Sequence, residues 1–134
     1  MERRRLGLFL LALVVPFVVL RAWLTIWPNA DFNVGAYNLH HLFTGVLLVV
    51  LGGVPLALGI GKGHLLDGAV LLFGTGLSLV LDEWVYLIVT DGSNASYLLP
   101  VSFWGGVLLI GLTAGYALLL PAFGRRPKKI TDDG

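Results

Sequence analysis

The sequence predicts an all-α integral membrane protein: four transmembrane helices running up and down as one bundle over residues 1–134, with both termini cytoplasmic. Three observations predict it. Of the 134 residues, 57% are hydrophobic and 13% charged, about half the charged share of an average soluble domain, and the mean hydropathy is +0.86. Four apolar runs, 6–26, 37–60, 64–89 and 97–123, are each as long as the roughly 20 residues that cross a hydrocarbon core as helix. The basic residues fall before the first run (Arg3, Arg4, Arg5), in the second connection (Lys62) and after the fourth run (Arg125, Arg126, Lys128, Lys129). The other two connections contain no Lys or Arg, so the positive-inside rule places both termini and the Lys62 turn on the cytoplasmic side of a plasma or inner membrane.

The first run begins like a signal peptide, with a basic start and an apolar centre from Leu6 to Leu20. Arg21 and Trp23 stand where a cleavage site needs small residues, and the apolar pattern resumes to Ile26, so a retained helix is expected. Pro16 marks a kink within it. Trp27-Pro-Asn-Ala-Asp-Phe-Asn33 then supplies turn formers and aromatics suited to an outer loop.

The second run ends at the Gly61-Lys62-Gly63 turn, and the third opens at His64 with Asp67 placed to favour the helix dipole. The fourth has Pro100 at its entry and Pro121 at its exit, and the basic tail 125–129 reads as a stop-transfer segment and anionic-lipid anchor. A nucleic-acid role is excluded by that position beside a membrane span. The chain contains no cysteine, which excludes disulfide staples, thiolate metal sites and dithiol relays.

Charge inside such runs costs kilocalories, so the ionisable residues within them mark the candidate site. His41 lies 21 residues before Lys62 and Glu83 lies 21 after it; Arg21 and His41 each lie ten from Asp31, the middle of the first outer loop. At about 1.5 Å of rise per residue these groups share one depth, in the outer leaflet. Arg21, His40, His41, Asp82 and Glu83 are therefore expected to meet.

Helical spacing refines the set. Asp67, Gly74, Ser78, Asp82 and Tyr86 share a stripe of the third helix, which turns Asp82 to the interior and Glu83, about 100° further round beside Gly76, to a seam. Ser102, Gly106, Thr113 and Tyr116 form the matching stripe of the fourth, and Gly111 to Gly115 suits close helix approach, including a homodimer or a larger membrane complex. Val19 to Trp23 aligns with Val80 to Trp84, and Tyr37 to Gly45 with Tyr97 to Gly105, which suggests two related hairpins with Arg21 and Asp82 as equivalent, opposite charges.

Three readings follow. One divalent ion (Zn, Fe or Mn) on His40, His41, Asp82 and Glu83 would suit the ligand types. Against it, adjacent histidines on one helix diverge by about 100°, and Arg21 opposes a cation. Alternatively, Asp82, Glu83 and His41 act as acid and base groups, with Arg21, Tyr86 and Ser102 binding a small polar ligand, or they carry protons in a coupled transporter. In the third reading, an accessory subunit, the cluster only sets helix register.

Overall fold

The computed structural model describes residues 2–28, 33–34, 37–38 and 40–124. Its elements are α1 (Glu2–Ile26), β1 (Asn33–Val34), β2 (Tyr37–Asn38), α2 (His41–Leu58), α3 (His64–Val89), α4 (Asn94–Tyr97) and α5 (Pro100–Phe123). The long helices α1, α2, α3 and α5 are each long and apolar enough to cross a membrane. The tail 125–129 and the loop centre at Asp31 lie outside the described residues.

Several boundaries differ from the sequence reading, chiefly those of α2 and of the fourth run. Expected from Tyr37, α2 begins only at His41, because β1 and β2 pair antiparallel with Asn33 opposite Asn38 and Val34 opposite Tyr37. It stops where Gly59 takes a left-handed conformation (φ 63°), which glycine adopts without a Cβ penalty. The expected start of the fourth run splits off as α4, capped by the Ser93 hydroxyl on the Ser96 N–H, and α5 opens at Pro100. Proline has no N–H to lose at the first helical position and disfavours helix in the residue before it.

The centre of the fold is α3, which packs against α1, α2 and α5. Contacts along it fix direction: α1 runs parallel to it, joined by Arg4 to Asp67 and by Arg21 to Asp82. The other two run antiparallel, Gly45 meeting Gly76 from α2 and Gly105 meeting Val85 from α5.

The α2–α3 seam depends on missing side chains. A Cβ at Gly76 would lie 2.5 Å from the Gly45 carbonyl oxygen, and one at Gly52 would lie 2.5 Å from the Ala69 carbonyl oxygen. Gly111 and Gly115 of α5, by contrast, have nothing within 4 Å of where a Cβ would stand, so that stretch brings no helix close within the chain. Nor do the contacts have the symmetry of two related hairpins. The repeat equates the pair α1–α2 with the pair α3–α5, yet α3 and α5 pack together while α1 and α2 do not touch.

Burial is inverted for polar groups. Arg21, Asp67, Ser78, Asp82, Glu83 and Ser102 are buried, whereas Leu11, Val18, Ile26, Leu58, Ile88, Leu112 and Phe123 are exposed. The apolar core is small, built on Leu13, Phe17, Leu81 and Ile110.

Candidate functional site

The five residues singled out by depth do converge, at the end of the bundle where α2 begins and α3 ends. Asp82, the centre of the group, is fully buried. Its Oδ1 accepts from Arg21 Nε at 2.6 Å, and its Oδ2 accepts from His41 Nε2 at 2.8 Å and from the Tyr97 hydroxyl.

Arg21 spends its remaining donors on carbonyls and a hydroxyl. Nη1 donates to the Tyr97 carbonyl (2.9 Å), and Nη2 reaches the Asp82 carbonyl (3.2 Å), the Ser102 carbonyl (3.2 Å) and Ser102 Oγ (3.1 Å). The guanidinium carbon lies 3.9 Å from the Tyr97 ring centroid, with Phe17 and Phe103 further out at 5.6 and 5.9 Å. One cation thus ties α1 to α3, α4 and α5, and each nitrogen of its planar fork finds a partner, as a buried charge demands.

Glu83 does different work. Its Oε2 accepts the Leu42 backbone N–H at 2.8 Å, while Oε1 lies 3.2 Å from His40 Nδ1 and 3.3 Å from His41 Nδ1. Leu42 stands in the first turn of α2, where N–H groups lack intrahelical partners and the dipole favours a negative charge. No side-chain hydrogen bond from its own N-cap residue caps this helix. A carboxylate from α3 serves instead, an interaction worth up to about 2 kcal/mol when partly buried.

The ring-divergence objection fails on the helix boundary. His40 precedes α2 in an extended conformation (φ −60°, ψ 143°), so the two adjacent imidazoles are not fixed 100° apart and both turn a nitrogen to the same Glu83 oxygen. The donor set nevertheless does not fit Zn, Fe or Mn. Among the described residues no group of three or more His, Asp or Glu side chains stands in a metal-holding arrangement. The lone pairs of Asp82 and Glu83 that face the site are already met by Arg21, Tyr97, the histidines and Leu42, and a guanidinium 2.6 Å from Asp82 occupies the place a cation would take.

Of the residues expected to bind a small ligand, Arg21 and Ser102 face each other. Tyr86 does not offer its hydroxyl to the cluster: it donates to the Ser93 carbonyl at 2.9 Å, and only its ring lies beside Tyr97 and His40.

Tyr97 is the site residue that sequence reasoning missed, having taken it as the start of the fourth helical run. The signal was there in Ser93-Asn-Ala-Ser96, a turn-capping pattern, followed by Leu99-Pro100, a helix boundary. Together they set Tyr97 on a separate turn able to fold back over the bundle end. Comparison with known proteins adds no analogy: no family model, curated protein or solved structure matches the chain.

Proposed function

We propose that this chain is an integral membrane protein, both termini cytoplasmic, whose outer-leaflet cluster of Arg21, His40, His41, Asp82 and Glu83 holds an exchangeable proton. The apolar side chains exposed along α1, α2, α3 and α5 support the membrane setting, since leaving so much hydrocarbon surface in water is unfavourable. The placement of Arg3 to Arg5 and Lys62 supports the orientation.

The observation that carries the proton reading is the position of His41 between two carboxylates, Nε2 at 2.8 Å from Asp82 and Nδ1 at 3.3 Å from Glu83. Ionised carboxylates only accept, so both contacts are favourable together when both ring nitrogens carry hydrogen. Charge counting agrees. Arg21 neutralises one of the two carboxylates, and a proton on His41 neutralises the other, leaving a balanced cluster in low dielectric. His40 and His41 are also the part of the cluster that solvent reaches, with about a fifth of each side chain exposed (22% and 19%).

Losing the His41 proton turns one contact into two acceptors facing each other, which works against the start of α2. Proton binding and the seating of α2 on α3 are thereby coupled, the property a proton-driven membrane protein needs.

Nitrogen-15 spectra of histidine-labelled protein in lipid nanodiscs test this. His41 is expected with both nitrogens protonated in the wild type at neutral pH, and with one protonated nitrogen in Glu83→Gln, which keeps an acceptor for Leu42 and leaves the Arg21 pair intact. A neutral His41 in both proteins would defeat the proton reading. As the chain has no cysteine, single cysteines placed at the termini report orientation directly by membrane-impermeant labelling.

A further inference from the structure

We infer that Tyr97 governs proton transfer to Asp82, as a positioning residue whose hydroxyl favours the ionised carboxylate while the α4 turn is seated. The inference rests on the proton reading above and names the regulation of that site.

The groups facing Asp82 come from every neighbouring element: Arg21 from α1, His41 from α2 and Tyr97 from α4. From α5 come Ser102, on the Arg21 fork, and Gly106, where a Cβ would stand 3.3 Å from Asp82 Oδ1; neither is ionisable. Glu83, next along α3, faces the histidines instead. Of these partners only His41 has appreciable exposure, so a proton from solvent reaches Asp82 at Oδ2.

That oxygen is already shared. Tyr97 donates its hydroxyl to Oδ2 beside His41 Nε2, so its two lone pairs are taken. A donor on a carboxylate favours the ionised form. When Oδ2 takes the proton from His41, the Tyr97 hydroxyl is left donating to a neutral acid, a weaker acceptor than a carboxylate, so its hydrogen bond opposes the transfer. No bond beyond the transferred N–H breaks: the proton leaves His41 Nε2, joins Asp82 Oδ2, and the two groups become neutral together.

The rest of Tyr97 closes the site mechanically. Its ring lies 3.9 Å from the Arg21 guanidinium carbon, its carbonyl holds Arg21 Nη1, and its edge-on contacts with His41 (5.6 Å) and Tyr86 (5.3 Å) lock the ring in place. All of this is carried on a four-residue helix, held from the loop by Asp91, Ser93 and Ser96. A short turn fixed by exposed hydrogen bonds opens more readily than the long helices around it.

The test is infrared titration of the protein in lipid nanodiscs, with the protonated-carboxyl band of Asp82 identified by its loss in Asp82→Asn. Tyr97→Phe keeps the ring on Arg21 and removes only the hydroxyl. At one fixed pH, the ratio of protonated to ionised Asp82 is expected to rise about tenfold, the loss of one charge-assisted hydrogen bond. Asp91→Asn leaves every cluster side chain in place and loosens only the turn; a smaller rise in the same direction is expected, and it carries the test if Tyr97→Phe does not fold.

An Asp82 band equal in wild type and variants would overturn the role of Tyr97 and leave the proton reading standing. No Asp82 band in any of them at any pH would likewise overturn the role of Tyr97, while the nitrogen-15 spectra of His41 decide the proton reading separately.

Discussion

Two Arg–Asp joints tie α1 to α3, and they are built to opposite standards. At the end that carries α4, Asp82 is fully buried, Arg21 nearly so, and every polar atom of the pair meets a partner at hydrogen-bond distance. At the other end, 15 residues or about 22 Å away along α3, Asp67 lies 2.8 Å from Arg4 Nη2 and 3.6 Å from Arg5 Nε. There the arginine side chains keep 60% and 29% of their surface exposed. The same two residue types on the same two helices thus form a dry, saturated lock in one place and, in the other, a tether in which a buried carboxylate meets partly exposed arginines. Burial, more than the identity of the charges, sets what each joint is worth.

The largest expected effect tests that difference directly. Arg21→Ala leaves Asp82 buried with only His41 and the Tyr97 hydroxyl as partners and should destabilise the fold by about 3–5 kcal/mol, as for other buried pairs broken on one side. Unfolding in mixed micelles measures it. Asp67→Asn should cost less than about 1 kcal/mol, and the loss should shrink further as salt screens the pair. Equal costs would mean that the Asp67 joint is as desolvated as the Asp82 joint, and the comparison would collapse.

The Asp82 lock was readable because its parts obey simple counting. Helix rise put Arg21, His41 and Glu83 at one level, and helical period turned Asp82 inward. Counting failed where the chain leaves helical period. His40 and His41 were treated as neighbours on a helix, but the pairing of β1 with β2 delays α2 to His41 and frees His40 to turn. Tyr97 was treated as part of the fourth helix, but it belongs to a separate turn that folds over Arg21.

The Asp67 joint was missed for a different reason. Asp67 was assigned to its own helix N-terminus, a local role that sequence suggests at once. Its partners in fact come from α1, a helix whose packing on α3 no local pattern reveals. Likewise Gly111 and Gly115 resemble the glycines of the α2–α3 seam in composition, and only packing separates a used glycine face from an open one.

The smallest expected effect extends the comparison to a third carboxylate, Asp91, which stands in the loop that carries α4. It accepts from the Ser96 hydroxyl at 2.5 Å and from the Ser93 N–H at 3.0 Å, and these two donors, Ser96 first, lower its pKa from 3.8 to about 2. With the folded value below the unfolded one, its contribution is complete above 3.8 and is lost as pH falls from there through about 2. Asp91 carboxyl carbon shifts should therefore titrate near 2 in the wild type, and Ser96→Ala should move that midpoint upward. A midpoint at 3.8 in both proteins would mean that these contacts do not hold the turn. Because that window lies well below the range of about pH 5 to 8 in which histidines ordinarily exchange protons, the Asp91 cap stays closed throughout it. Any pH-dependent opening of α4 in that range must then originate in the buried cluster, where Tyr97 meets Asp82, and not in the loop that carries it.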